Sequence, residues 1–400
     1  MSETDMLLAR YRRELFENVV PFWERYGIDR EMGGYFTCLD RDGALYSTDK
    51  YMWLQGRAVW MFSRLHNEVS RDRGWLDLAQ QGLDFIRAYG RAPDGRVYFS
   101  LTRDGRPIHI QRKIYSEVFF VMALAEMARA TGSQEYLDEA KALFWQTYTV
   151  WKEPERLGRP ILPGRFVGTT LADPMVFLGM VEELARLDDP AQYDAVVKEM
   201  KGIALRHIHG DRQLVLENVG PAGEFVDTPV GRLLNPGHAI ELAWFLIHLA
   251  QRTGDADLIA PALDIVDWSL ARGWDAEHGG LYYFLDSEGR PPLPLEWSMK
   301  LWWPITEAMY ATLLAWDVSG ELRFLEWHRR IAEWGFTHLH DAQGSEWFGY
   351  LDRRGEPTHT LKGGAWKGFF HLPRALLYSV QLLQRRSVGV SAHVRHAGAR

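Results

Sequence analysis

Cysteine is almost absent from the sequence. Cys38 is the single cysteine among 400 residues, so the chain can form no internal disulfide and no metal site built from cysteine pairs. A lone thiol is typical of proteins from reducing compartments. Residues 1–20 place acids and arginines among apolar residues and lack the continuous apolar segment of a signal peptide. These absences predict a cytoplasmic protein.

Long apolar runs and clusters of positive charge are missing as well. No segment is long and apolar enough to span a membrane. The formal net charge is −7, and no basic run is interleaved with aromatic residues. Both observations argue against nucleic acid or an anionic membrane as a partner.

Several motifs that identify enzyme classes are also absent. The sequence has no P-loop, no dinucleotide-binding glycine fingerprint, no HExxH zinc motif and no G-x-S-x-G nucleophile elbow. The HIHG segment at 207–210 resembles a metal-binding cluster, but it closes a predicted outer helix. We therefore expect no metal site.

Aromatic residues, in contrast, are abundant. The chain contains 17 Trp, 16 Tyr and 19 Phe, which make up 13% of its residues. Most of them must belong to a core. An excess of this kind also suits a cavity that binds sugars, because the C–H faces of sugars stack on indole rings.

Apolar residues recur at i, i+3, i+4 and i+7 in about twelve segments, which predicts amphipathic helices. Between alternate pairs lie short stretches with an alternating strand, an acidic-glycine turn and a return, which predicts hairpins. The predicted helices are 5–26, 53–70, 74–90, 115–131, 134–150, 172–187, 190–208, 238–252, 256–272, 299–317, 320–338 and 366–385. The predicted hairpins are 33–46, 95–108, 212–225, 279–292 and 345–358.

A helix pair with a hairpin recurs about every 60 to 65 residues. A unit of this size indicates an all-α fold, a closed (α/α)₆ barrel of six inner and six outer helices, in which 1–385 form one catalytic domain. The hairpins would gather at one end, over the N-termini of the inner helices, where helix dipoles stabilise negative charge. An open α-solenoid for protein binding is the alternative. The tail, 386–400, lacks helical periodicity and is expected to be disordered.

Charged residues within the apolar helices are the candidates for chemistry. His238 and Glu241 are three residues apart after a Pro-Gly turn, so they share one helical face. His371 precedes Pro373 by two residues, which favours a helix start at the same end of the ring. Taken singly, each histidine could equally be a capping or core residue.

Arg57 lies in an apolar, aromatic-rich helix, where an unpaired cation is costly. Glu241 and Glu307 are the expected partners of Arg57. A glycosidase on the same barrel is a competing hypothesis, because these two carboxylates could form an acid–base pair across the cavity.

Seven segments of the chain resemble the N-acylglucosamine 2-epimerase family, whose animal members are also called renin-binding proteins. They occur in the family's order from about Phe22 to Leu383. The segments are KYMWLQGRAVWMFSRL, LTRDGRPIHIQRKIYSEVFFVMALAEM, LNPGHAIELAWFL, HGGLYYFLDSEG, LEWSMKLWWPITEAM, EWFGYLDRRG and KGGAWKGFFHLPRALL.

This resemblance implies an (α/α)₆ barrel that interconverts N-acetylglucosamine and N-acetylmannosamine. By motif, His238 and His371 are similar to the family's two acid/base histidines. Arg57, Glu241 and Glu307 are similar to its charged cavity residues. The residues expected to bind the sugar are Trp303, Trp366, Glu117 and Tyr51.

The sequence departs from the family at Ile305, where family members commonly have a histidine, so the exact sugar recognised stays open. Segment 169–178 lacks the histidine of related cellobiose 2-epimerases and mannose isomerases, as the N-acylglucosamine branch does. The resemblance implies no metal or redox cofactor. It also implies that the protein could form a homodimer and that ATP could activate it without being consumed. Segment 151–165 is a weak candidate for binding ATP.

These residues predict an epimerase in which one histidine removes the C2 proton of the open-chain sugar and the other returns a proton to the opposite face. Arg57 would stabilise the enolate oxygen. We expect His371 to act on the gluco epimer and His238 on the manno epimer. Two alternatives stay open: an aldose–ketose isomerase or 2-epimerase of unsubstituted sugars such as mannose, and a non-catalytic protein-binding protein.

Overall fold

The helices form two concentric layers in the computed structural model, which describes residues 2–158, 162–387 and 389. The outer layer contains α1 (Glu3–Arg13), α2 (Val20–Tyr26), α4 (Arg73–Tyr89), α6 (Gln134–Lys152), α8 (Asp194–Arg206), α10 (Ile259–Gly273) and α12 (Leu322–His338). The inner layer contains α3 (Met52–Glu68), α5 (Tyr115–Thr131), α7 (Ala172–Leu184), α9 (Pro236–Thr253), α11 (Trp302–Ser319) and α13 (His371–Ser387). Inner helices such as α5 and α11 are buried almost all round, whereas outer helices such as α4 bury one stripe.

The inner helices contact one another in chain order, and the last returns to the first. α3 packs on α5, α5 on α7, α7 on α9, α9 on α11 and α11 on α13. The start of α13 then meets α3, because the rings of Trp60 and Phe370 lie 5.3 Å apart. Helix α1 also packs against α13. The prediction of a closed (α/α)₆ barrel is therefore confirmed, and the open solenoid is wrong.

Short antiparallel strand pairs connect neighbouring repeats where the inner helices begin. Strands β1 (Lys50–Tyr51), β4 (Thr169–Thr170), β8 (Leu233–Leu234) and β10 (Lys300–Leu301) each lie immediately before an inner helix. They pair in turn with β2 (Ser100–Leu101), β7 (Asn218–Val219), β9 (Leu285–Asp286) and β11 (Tyr350–Leu351). Two local hairpins join β2 to β3 (Pro107–His109) and β5 (Ile208–His209) to β6 (Leu214–Val215). The strands thus gather at one end of the barrel, as the sequence predicts.

Three buried lysines fasten the hairpins to one another. Each ammonium group binds a buried aspartate and a backbone carbonyl, and the aspartate also binds an arginine of the next hairpin. We call these sets the hairpin anchors: Lys50–Asp29–Arg103, Lys300–Asp275–Arg353 and Lys362–Asp341–Arg41. Their Nζ–Oδ2 distances are 3.0, 3.1 and 2.8 Å. Because Arg41 belongs to the first predicted hairpin and Asp341 follows α12, the third anchor closes the ring.

Helix boundaries differ from the prediction in several places, among them the predicted helix 299–317, whose first residues form β10 so that α11 begins at Trp302. The first helix is interrupted by a π-helical segment at Glu14–Val19. A 3₁₀ turn at Pro190–Tyr193 precedes α8. The last helix begins at His371 and not at 366, because 363–370 contains three glycines and stays irregular.

The last inner helix extends beyond the predicted end of the domain. α13 extends to Ser387, so the first two residues of the predicted tail are helical. Residues 388 and 390–400 lie outside the described part of the chain. Within the described residues, none of the helices is long and apolar enough to cross a membrane.

Candidate active site

A cavity of about 640 Å³ opens at the end of the barrel where the inner helices begin. Its volume is in the range of small-molecule binding sites. All six inner helices contribute to the wall, which is largely aromatic and apolar. The lining residues on the inner helices that have a carboxylate, guanidinium or imidazole side chain are Arg57, His238, Glu241, His371 and Arg374.

The start of α9 presents His238 to this cavity. Asn235 caps the helix, since its Oδ1 accepts the backbone N–H of His238 at 3.2 Å, and Pro236 occupies the first turn. The His238 Nδ1 lies 3.0 Å from both carboxylate oxygens of Glu217. Because a carboxylate only accepts hydrogen bonds, Nδ1 carries a proton and Nε2 is left to act in the cavity.

Glu217 also sets the charge of His238. Burial alone would lower the pKa of His238, but the charge and hydrogen bond of Glu217 outweigh burial and raise this pKa above its ordinary value. Glu217 therefore stabilises the protonated form of His238, which favours a role as proton donor.

His371 is the first residue of α13 and has the opposite electrostatic environment. Its Nδ1 donates to Oε1 of the fully buried Glu307 at 2.8 Å, and the other oxygen of Glu307 accepts from Trp244 Nε1 at 2.9 Å. Burial, followed by the positive charges of Arg57 and Arg374, holds the pKa of His371 well below its ordinary value. A neutral imidazole can accept a proton at Nε2, for which no hydrogen bond is found within the described part of the chain.

The indole of Trp303 contacts both histidines. Trp303 lies in the first turn of α11, which packs between α9 and α13. Its ring centroid is 5.1 Å from that of His238 and 5.7 Å from that of His371. Trp303 and the two imidazoles therefore line the same part of the cavity.

Arg57 is a buried cation that aromatic rings surround. Its guanidinium lies 4.3 Å from the ring of Trp53, 4.0 Å from that of Phe119 and 4.7 Å from that of Phe370. Among the described residues, its Nε has no hydrogen-bond partner. Burial, with the nearby charge of Arg374, lowers the pKa of Arg57 to about 9, so it stays positive at neutral pH. Arg57 is thus available to an anionic group in the cavity.

The expected partners of Arg57 prove to be wrong. Glu241 and Glu307 bind Arg374, whose Nη2 lies 2.8 Å from Glu241 Oε1 and 2.6 Å from Glu307 Oε1. Arg374 is three residues after His371, so both lie on one face of α13. The same contacts argue against the glycosidase hypothesis, because an acid–base pair needs carboxylates that are free to reach the substrate.

Glu241, Glu307 and His371 also have the spacing of a possible cation site, with one ligand atom of each within 4.8 Å of the others. The guanidinium of Arg374 contacts both carboxylates. A cation is therefore already supplied by the chain at this position.

Comparison with known proteins identifies the family to which the chain belongs. Residues 34–375 match the model of the N-acylglucosamine 2-epimerase family. The chain belongs to this family. The resemblance inferred from the sequence is thereby confirmed.

Members of the N-acylglucosamine 2-epimerase family are similar to the chain over most of its length. The bovine (Bos taurus) N-acylglucosamine 2-epimerase is 42% identical over 391 residues, covering 94% of this chain and 90% of the relative. The human (Homo sapiens) enzyme of the same name is 42% identical, with coverage of 92% and 88%. A solved cellobiose 2-epimerase from Bacillus thermoamylovorans shares the fold, with a TM-score of 0.82, 21% identity and coverage of 94% and 99%.

The remaining residues predicted to bind sugar in this epimerase-family chain are only partly brought together. Trp366 lines the mouth of the cavity with 55% of its surface exposed. Glu117 is not among the lining residues, because its Oε1 accepts hydrogen bonds from Arg96 Nε at 2.8 Å and from the backbone N–H of Val97 at 3.0 Å. Tyr51 does not line the cavity either, and its ring packs 5.5 Å from that of Phe99.

Ile305 does not face the cavity. It is fully buried, and its Cγ2 would lie 3.0 Å from a Cβ added at Gly335 of the outer helix α12. The departure from the family at this position therefore changes packing between α11 and α12 and makes no direct contact with a sugar.

Two functional residues of this epimerase-family site are missing from the sequence prediction. Arg374 was detectable, because it follows His371 by three residues in an apolar helix. Glu217 lies in the predicted hairpin 212–225 and reaches His238 only through the fold. Its isolated position among apolar strand residues was the available signal.

Proposed function

We propose that the protein is an N-acylglucosamine 2-epimerase that interconverts N-acetylglucosamine and N-acetylmannosamine. The observation that carries this proposal is the pair His238 and His371, which line one cavity beside Trp303 and whose Nδ1 atoms, not Nε2, are engaged by carboxylates. Inversion at C2 by proton transfer needs one proton site on each face of the carbon, and this pair supplies both.

The proposed reaction begins with the open-chain aldehyde. One imidazole removes the C2 proton, and the electron pair moves onto O1 to give an enolate. The buried guanidinium of Arg57 stabilises this charge, as preorganised positive groups do in cavities that exclude water. The second imidazole then delivers a proton to the opposite face of C2, and the aldehyde is restored.

The opposite pKa shifts of the two histidines indicate which histidine acts as the base on each epimer. His371, whose pKa is lowered, removes the proton of the gluco epimer, and His238, whose protonated form Glu217 stabilises, returns one. The product complex contains a protonated His371 and a neutral His238, which are the states needed for the reverse reaction. Exchange of protons with solvent resets the pair between turnovers.

Proton transfer of this kind requires an acid, a base and a cation to stabilise the enolate, all of which this chain supplies. No metal or redox cofactor is therefore part of the proposal. Activation by ATP stays a prediction from the family resemblance. Its candidate segment, 151–165, includes residues 159–161, which lie outside the described part of the chain.

Proton NMR in D₂O tests the proposed function directly. Purified protein is incubated with N-acetylmannosamine, with and without ATP, and the C2 signals are followed. We expect deuterium at C2 together with the signals of N-acetylglucosamine. Mannose and glucose are run in parallel as unsubstituted controls.

The other outcomes distinguish the alternatives. Exchange or ketose formation with mannose, and none with N-acetylmannosamine, would replace the proposal with an isomerase of unsubstituted sugars. A stoichiometric protein partner in a pull-down, with no turnover of any sugar, would replace it with a binding protein.

A cytoplasmic location and a homodimer complete the proposal. The first is supported by the single cysteine, and the second by the family resemblance. Fractionation of the native host and sedimentation equilibrium of the purified protein test them.

A further inference from the structure

The wall of the cavity divides into a charged part and an apolar part. Helices α9 and α13 supply the histidines and their charged neighbours. Helices α5 and α7 supply the apolar part, whose main lining residues are Val118, Met122, Ala172, Met175, Val176 and Gly179. On α7 these positions follow the spacing i, i+3, i+4 and i+7, so they form one continuous face.

This apolar face is kept free of charge. The acidic residue in the first turn of α7, Asp173, accepts a hydrogen bond from Trp151 Nε1 of the outer helix α6 at 3.2 Å. Phe245 packs beside the deep end of the face, since a Cβ added at Gly179 would lie 3.2 Å from Phe245 Cε1. The face therefore offers apolar contacts and few hydrogen-bonding groups.

The chemistry at C2 decides which part of the substrate meets this face. In the enolate, C2 is planar, the two histidines occupy the space above and below the plane, and three substituents lie within it. C1 with its charged oxygen points to Arg57. The hydroxylated chain needs polar partners or water, which the cavity mouth offers through Glu296, Tyr283 and Tyr350. The remaining substituent is the N-acyl group.

We propose that the apolar face of α5 and α7 binds the N-acyl group and that Val176 limits the length of the acyl chain that is accepted. This inference rests on the proposed function. Val176 is only partly buried and lines the cavity one helical turn after Ala172. An acetyl group buries one methyl group on this face. Each further methylene that is buried there should increase the binding affinity about fourfold.

Substrates with acyl chains of increasing length test the proposal. The kcat/KM values for N-acetyl-, N-propanoyl- and N-butanoylmannosamine are measured with the wild type, Val176→Ala and Val176→Phe. We expect Val176→Phe to lower the butanoyl-to-acetyl ratio of kcat/KM by about tenfold or more, because the ring fills the space beside the acyl chain. Val176→Ala should raise the same ratio by about fourfold or more.

Val197→Phe is the matched control. Val197 is partly buried on the outer helix α8, away from the cavity, so this variant should leave the ratio unchanged. An unchanged ratio in both Val176 variants, with N-acetylmannosamine still turned over, would overturn the inference and leave the proposed function intact. Failure of the wild type to turn over any N-acyl sugar would overturn both. If Val176→Phe does not fold, the Val176→Ala ratio alone decides.

Discussion

The pKa values of His238 and His371 shift in opposite directions, because the neighbours of the two imidazoles differ. Each Nδ1 binds a carboxylate, Glu217 in one case and Glu307 in the other. Glu307 also pairs with Arg374 at 2.6 Å, and burial with the positive charges of Arg57 and Arg374 lowers the pKa of His371, whereas the contact with Glu217 outweighs burial at His238. The difference between the two pKa values thus originates in the residues around the imidazoles.

Replacing either histidine separates proton exchange from inversion. We expect His238→Asn to lower epimerisation about a hundredfold or more, while His371 still exchanges the C2 proton of the gluco epimer with D₂O. His371→Asn should likewise lose epimerisation, while His238 still exchanges the C2 proton of the manno epimer with D₂O. NMR of each epimer in D₂O measures both quantities. Near-normal epimerisation by either variant would contradict the mechanism with two bases.

The pH dependence of kcat/KM tests the role of Glu217. The active free enzyme has one proton on the histidine pair, so the profile should be bell-shaped, with activity lost at low pH as His371 gains a proton and at high pH as His238 loses one. Glu217→Gln removes the negative charge that raises the pKa of His238. We therefore expect the high-pH limb to move to lower pH while the low-pH limb stays in place. A shift of the low-pH limb alone would assign the two limbs the other way round.

At the scale of the elements, the helices and their order follow from sequence periodicity, but the contacts within the site do not. The start of α9 was predictable, because Asn235 and Pro236 are local signals for a helix N-terminus. Glu217 is 21 residues from His238, and Glu307 is 64 residues from His371. No local sequence pattern pairs residues that are so far apart. For the same reason the sequence predicted Arg57 as the partner of Glu241 and Glu307, whereas the structure shows Arg374.

The hairpin anchors give an element-scale prediction. The ammonium of Lys300 is fully buried, and burial lowers its pKa to about 8. Asp275→Asn leaves this group without its charged partner, so we expect the free energy of unfolding to fall by about 3 to 5 kcal/mol. Lys300→Met should cost less, because Asp275 remains bound to Arg353 at 2.9 Å. Urea unfolding followed by circular dichroism compares the two, and an equal loss in both would show that the anchor acts only as a unit.

At the scale of the whole molecule, the site exists only when the ring is closed. Arg57 lies on the first inner helix and His371 on the last, and the anchor between Arg41 and Asp341 fastens the two ends at the same face of the barrel. The catalytic cavity and the hairpin anchors therefore share one end of the molecule. We therefore expect that loss of the anchors changes the shape of the cavity before it affects the opposite end of the barrel.

Acid should destabilise the whole barrel through these anchors. Burial alone would raise the pKa of Asp29, Asp275 and Asp341, but the hydrogen bonds from their arginines and lysines outweigh it and hold each pKa well below its ordinary value. A carboxylate whose pKa is lower in the folded state contributes stability above its unfolded pKa of about 3.9, and this contribution is lost as the pH falls further. We expect the free energy of unfolding to drop steeply below about pH 4.

Urea unfolding across a pH series measures this dependence, and a single substitution isolates one anchor. Asp341→Asn removes one of the three titrating groups, so its free energy of unfolding should be lower at neutral pH and should change less steeply with acid. Asp257→Asn, at an exposed position, is the control and should follow the wild type. If Asp341→Asn keeps the wild-type slope, the acid sensitivity arises elsewhere, and the ring is closed by packing between α1, α3 and α13 with little contribution from the anchor.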